Sequence, residues 1–217
     1  PAGQQKRRQP TRTTVSNGYR HQREMSDMIR KANTNDAPAI QQLIQIPAEK
    51  GQMLFRTLED ITRNICDFFV FEKKKAILGV CALNNASEKT QMEDEGFKSD
   101  RDFGSLVEVR SLVVHPGHLR EGIGTALVGR CIQEAMAMEK EEIFVLTYAV
   151  SMFKKLGFEV IDKSALPHKI WTDCRGCAKS DHCDETAMIR SLRVKPRRKT
   201  KSGGRKRDRV HTASRSA

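Results

Sequence analysis

Three groups of residues in this chain have the types and the spacing to do chemistry. The first is Gly122-Ile-Gly124, which follows a branched apolar run (Val109, Leu112, Val113, Val114) and opens a stretch where Leu127, Val128, Cys131, Ile132, Ala135 and Met136 share one stripe at helical spacing. Glycines at a helix start let a ligand approach the backbone and leave N–H groups pointing outward at the positive end of the helix dipole. That arrangement is a phosphate cradle, with Arg120 as the charge of its loop. The second group is Glu108 and Arg110, which share a face of the preceding strand because strand side chains alternate. A guanidinium there suits a carboxylate held at two points, and a partly buried glutamate tends to titrate high, which suits proton transfer. The third is Cys174-x2-Cys177-x5-Cys183, a spacing zinc accepts, with His168 or His182 as fourth ligand. Three reduced thiols packing a C-terminal flap explain the same pattern; that reading is kept, and no metal is expected.

These groups need elements to hold them. A strand is expected at Met28–Ala32, then a helix capped at Asn35-Asp36 with Pro38 in its first turn, Ile40, Leu43 and Ile44 on its buried face, and Pro47 as its stop. A second helix through Leu58, Ile61 and Ile65 leads into a strand at Phe68–Glu72. Lys73–Lys75 is a turn, Ala76–Leu83 the next strand, and 84–102 a polar loop. The central strand and its helix, running to about Met138, are followed by a strand at Ile143–Tyr148. A short helix of Val150, Met152, Phe153 and Leu156, ended by Gly157, and a strand at Phe158–Asp162 complete the pattern. The order implies one mixed sheet with helices on both faces.

Charge is unevenly placed. The net +12 comes from the ends: residues 1–24 hold six Lys/Arg and one Glu, and residues 193–217 hold eleven Lys/Arg and one Asp, which leaves 25–192 slightly acidic. The folded domain is therefore expected at 25–192, between two disordered basic tails. No run is apolar enough to span a membrane, no signal segment is visible, and six cysteines without a secretory signal suggest a reducing, cytoplasmic setting. Cys66, Cys81 and Cys131 fall in apolar segments and read as core.

The succession of strand, His115-Pro116, basic loop, Gly-Ile-Gly and amphipathic helix resembles the acetyl-CoA-binding motif of the GCN5-related N-acetyltransferases (GNAT). The Leu156-Gly-Phe158 after the last short helix fits the same family. The resemblance implies a GNAT fold of the α/β (α+β) class, with a central mixed, mostly antiparallel sheet and helices on both faces. It implies acetyl-CoA as cosubstrate, held by Leu112, Val113, Val114, Arg120, Glu121, Gly122, Ile123, Gly124 and Thr125. Leu119 stands where the family usually has Gln or Arg. Leu166-Pro-His-Lys-Ile-Trp171, Cys174, Cys177, Cys183-Asp-Glu185 and Ala187-Met188 make the chain similar to short bacterial N-acetylglutamate synthases, single-domain enzymes of arginine biosynthesis. Phe55 and Ala178-Lys-Ser180 depart from that pattern.

The resemblance implies amide formation by direct attack on a thioester, with no covalent enzyme intermediate, and an amino-acid acceptor. Glu108 stands where several GNAT members keep a catalytic glutamate and is the expected general base. Many members use a tyrosine as acid at the position of Phe153, which cannot donate; Tyr148 is the candidate substitute, beside two alternatives, a packing role for Tyr148 and solvent as the acid. Arg56, Arg110, His168 and Lys169 are the expected carboxylate ligands. A homodimer fits the resemblance, and no membrane partner is expected. Two rivals remain: a GNAT enzyme for another amine (protein lysine or polyamine), and a non-catalytic module binding nucleic acid through its basic tails. An acidic cleft favours the first rival, and a basic one an amino-acid carboxylate.

Overall fold

The computed structural model describes residues 28–85, 105–166, 177, 179 and 182–193. The basic ends (1–27 and 194–217), the 86–104 segment, His168, Lys169 and Cys174 lie outside the described residues.

Strand β2 (Phe68–Lys73) shows how the chain is layered. Its Phe68-Phe-Val-Phe71 run is buried throughout, although strand side chains alternate. Both faces are therefore covered. Phe69 and Phe71 pack with Ile123, Leu127, Val128 and Cys131 of helix α3 (Ile123–Ala137), whereas Phe68 and Val70 pack with Ile40, Ile44 and Ile61 of α1 (Ala37–Glu49) and α2 (Leu58–Arg63). Each such fully buried side chain contributes roughly 1.5–3 kcal/mol, so the two layers rather than helix propensity hold α1 to α3 in place.

The sheet has the order β1-β2-β3-β4-β5-β7-β6, with β1 at Ile29–Lys31, β3 at Ala76–Asn84, β4 at Leu106–Val114, β5 at Glu142–Thr147, β6 at Glu159–Val160 and β7 at Thr186–Ser191. Every neighbouring pair is antiparallel except β4 and β5. This is the mixed, mostly antiparallel sheet with helices on both faces that the sequence implies. The β2–β3 turn is formed by Lys74 (φ +52°) and Lys75 (φ +66°), a two-residue reversal whose twist matches the strands.

Several expectations need correction. Pro47 does not stop α1; it sits in the last turn, where its missing N–H removes a single ladder bond, and the helix runs on to Glu49. Asp36 is the N-cap of α1 as expected, but its side chain makes no capping bond to the helix; side-chain capping belongs to Asn33, at the head of the 3-10 turn Thr34–Asp36, which accepts from Asn35 N while Asp36 accepts from Asn33 N. Asp36 is buried and instead grips Arg30 at 2.7 and 2.9 Å. Met136 is exposed, so the buried stripe of α3 starts one turn earlier, at Ile123. Cys66 is exposed, its segment being a one-turn 3-10 helix rather than a strand interior; Cys81 and Cys131 are core, with their sulfurs 3.5 Å apart. Residues 186–191, not expected as a strand, form β7 and insert between β5 and β6. Among the described residues no helix is long and apolar enough to cross a membrane.

Candidate active site

The two parallel strands part company early. β4 and β5 pair only at Leu106–Glu142, Val107–Ile143 and Glu108–Phe144, yet β4 continues to Val114 and β5 to Thr147. Beyond Glu108 they no longer share a ladder, and a cleft of about 440 Å³ opens between them. β4 bends as it leaves. Val80 faces Val113 and Ala82 faces Arg110, so Cys81 opposes two residues, Ser111 and Leu112, and Ser111 takes a left-handed φ of +52°. The bulge changes the phase of the strand. Val107 and Val109 face α3 before it and Leu112 and Val114 after it, while Val113 packs on the α1 layer.

At the end of β4 the chain turns into α3. Arg120 (φ +66°) and Gly122 (φ +88°) are left-handed and exposed, and a methyl group added at Gly122 would meet nothing within 4 Å. The turn is thus open above its backbone, as close approach by a phosphate requires. Gly124 sits against Val114 and Met152, and the Ile123 side chain is buried, which leaves only its backbone at the surface of the turn. Thr125 is exposed, and Glu121 is held by His118 at 3.1 Å. The height of this turn is set from below. A Cβ on Gly79 of β3 would lie 2.8 Å from Ile123 Cγ2 and 3.0 Å from Leu127 Cδ1. The first turn of α3 therefore rests directly on the β3 backbone, and the residues present fit a diphosphate group.

Glu108 and Arg110 both line the cleft, as alternation predicts. Asn84, opposite Glu108 in the β3–β4 register, is buried and donates to Glu108 Oε2 at 3.3 Å. Arg110 is nearly buried and lies 3.9 Å from Asp67, at the outer limit of an ion pair. Arg56 lines the opposite wall, 3.4 Å from Asp60. Phe153 is buried edge-on against Phe158 and supplies packing, not a proton.

Tyr148 stands at the mouth, tied to groups that the sequence reading did not connect with it. Its hydroxyl donates to Asp184 Oδ1 at 2.5 Å, and Lys179 Nζ donates to its oxygen at 3.1 Å and to Asp184 Oδ2 at 3.1 Å. Partial burial, and then the Asp184 carboxylate, raise the Tyr148 phenol above its ordinary range. The Tyr148 hydroxyl and then Lys179 hold Asp184 below its own. Cys177, Cys183 and Glu185 line the same wall. Burial pushes the Glu185 carboxyl up, Lys163 opposing the shift.

The profile of the acetyltransferase (GNAT) domain matches residues 64–160. An uncharacterized N-acetyltransferase of Chlorobaculum tepidum is 37% identical over 166 residues, covering 76% of this chain and 96% of that protein. The chain belongs to the GNAT acetyltransferases. An amino-acid acetyltransferase of Mycobacterium tuberculosis is 27% identical, covering 70% of this chain and 80% of its own length. Among solved structures, the N-acetylglutamate synthase of Neisseria gonorrhoeae complexed with coenzyme A and N-acetyl-glutamate superposes with a TM-score of 0.62 at 24% identity, over 76% of this chain and 35% of that longer one.

This GNAT domain is an acetyl-CoA-dependent N-acetyltransferase, and its parted strands and open Gly122 turn are the features that fit the cosubstrate. Of the expected site residues, the structure brings Glu108, Arg110, Arg56 and Tyr148 to one cleft. The reading missed Asn84, Lys179 and Glu185. Asn84 had a signal, a polar residue closing an apolar strand, and Glu185 had one in the Cys183-Asp-Glu185 run that carries the resemblance; Lys179 had none, because only the fold brings it to the cleft.

Proposed function

We propose that this enzyme transfers the acetyl group of acetyl-CoA to the α-amine of L-glutamate, the first step of arginine biosynthesis. The observation that carries this reading is the charge of the cleft. Among the described residues Arg56, Arg110 and Lys179 face it with Glu108 and Glu185. Three cations and two carboxylates complement an acceptor bearing one ammonium and two carboxylates. A polyamine or a lysine side chain brings no carboxylate for those cations. The amino-acid acetyltransferase relatives point the same way.

Bound acetyl-CoA supplies a thioester carbonyl already activated toward amines and a thiolate that must leave protonated. The amides of Ile123, Gly124 and Thr125 hold the diphosphate, helped by Arg120. Arg56, Arg110 and Lys179 orient the acceptor carboxylates. Glu108 takes the proton that the ammonium must lose before it can attack, and the amide of Asn84 steadies the Glu108 carboxylate. Tyr148 is the proton donor on the thiolate side of the cleft.

The test is the purified enzyme with acetyl-CoA and a panel of amino acids, polyamines and a lysine peptide, with acetylated products identified by mass spectrometry. N-acetylglutamate as the dominant product supports the reading. Preference for an amine without a carboxylate removes the glutamate assignment and leaves the enzyme class.

A further inference from the structure

Glu185 differs from every other charged group lining the cleft. Arg110 has Asp67, Arg56 has Asp60, Glu108 has the Asn84 amide, and Lys179 has Asp184. Among the described residues the Glu185 carboxylate makes neither a hydrogen bond nor an ion pair, although it is half-buried. Desolvating a carboxylate is unfavourable unless a cation or donor meets it, and the cleft that Glu185 lines is where a ligand can supply one.

Its position says what that partner is. The last rung of the β5–β7 ladder joins Thr147 to Thr186, so Glu185 lies one residue beyond it, level with Tyr148 at the cleft mouth. The charges around it are Lys163, Lys179 and Asp184. Lys163 Nζ is held by the carbonyl of Cys183 at 2.6 Å, and Lys179 and Asp184 are engaged with each other and with Tyr148. The nearby cations thus have partners of their own, and Glu185 faces the space where an acceptor enters.

We propose that Glu185 binds the ammonium of the incoming acceptor. The proposal rests on the cleft being the acceptor site and deepens that reading by dividing labour between two carboxylates: Glu185 docks the charged amine and Glu108 removes its proton. A docked ammonium gives the half-buried Glu185 carboxylate a charged partner and holds the nitrogen while both acceptor carboxylates find their cations. Burial, which raises the Glu185 pKa, accords with a carboxylate whose charged form is completed by the ligand.

The test is calorimetric titration of the wild type and of Glu185→Gln with L-glutamate and, separately, with glutarate, which has both carboxylates and no amine, each in saturating CoA. The expected result is L-glutamate binding weakened on the order of tenfold to a hundredfold in the variant, glutarate binding unchanged, and CoA affinity unchanged. Equal weakening of both ligands would assign Glu185 a structural role, and unchanged L-glutamate binding would remove it from recognition; either overturns the proposal. Should the wild type acetylate a different amine, the glutamate assignment fails by itself, and the same comparison with that amine and its deaminated analogue decides the role of Glu185.

Discussion

The hydroxyl of Tyr148 lies 2.5 Å from Oδ1 of Asp184, and the two residues come from the ends of different strands, β5 and β7. The phenol therefore donates to a carboxylate, while Lys179 donates to the phenol oxygen. Tyr148→Phe is expected to lower kcat by roughly tenfold to a hundredfold with little change in KM. An acid must be protonated to act, so activity holds below its pKa and falls above it. Because the Tyr148 pKa is raised, the alkaline fall of wild-type kcat should lie above the ordinary tyrosine range, and in Tyr148→Phe that limb should vanish. A pH–rate profile of both proteins checks this.

Glu108→Gln should lower kcat by roughly 10²–10⁴ and leave CoA affinity intact, since Glu108 lines the cleft and is not part of the Gly122 turn. Asn84→Ala should act in the same direction and more weakly, because Asn84 reaches the acceptor only through Glu108. Steady-state kinetics with a parallel CoA titration separates the two effects. Unchanged turnover in Glu108→Gln would remove Glu108 from the mechanism.

Gly79→Ala tests the seat of the diphosphate turn. The new methyl would need 2.8 Å from Ile123 and 3.0 Å from Leu127, so α3 must lift or the side chains must leave their rotamers. Overpacking of this kind costs roughly 1–3 kcal/mol. Urea denaturation should show that loss, and CoA should bind more weakly because the first-turn amides move with Ile123.

Gly122→Ala probes the same turn differently. No clash awaits the methyl, but φ is +88°, a conformation that costs an L-residue roughly 1–2 kcal/mol. Weaker CoA binding with an unaltered acceptor KM is expected. A crystal structure of the variant would show whether the turn has moved.

The Arg30–Asp36 pair should make stability depend on pH. Arg30 holds the Asp36 carboxyl below its ordinary range. The contribution is then complete above the unfolded-state pKa of an aspartate and is lost as pH falls through the lowered folded-state value. Asp36→Asn should cost roughly 1–3 kcal/mol at pH 7, and its gap from the wild type in urea midpoints should close in strong acid.

The strand, turn and helix that meet at Gly122 were legible in local pattern. A branched apolar strand, two glycines and an amphipathic helix are short-range signals, each set by backbone freedom or side-chain periodicity within a few residues, and they gave β4, the Gly122 turn and α3 nearly as observed. Alternation likewise put Glu108 and Arg110 on one face. Pro47 shows where local rules overreach: a proline normally ends a helix, yet burial of Ile40, Leu43 and Ile44 holds α1 together and the chain continues past it.

The cleft was legible only in part: Arg56, Glu108, Arg110 and Tyr148 were expected in it, but the partners that hold Tyr148 depend on contacts distant in sequence. The sequence alone determined the two-sided layering, the Gly122 turn and the shared face of Glu108 and Arg110. Only the tertiary structure decided that β7 would leave the chain order and pair between β5 and β6, carrying Asp184 and Glu185 to Tyr148 across more than thirty residues. It also decided where β4 and β5 part. Strand pairing is a long-range choice governed by which faces can be buried together, and a local run of residues 183–191 carries no record of its neighbour.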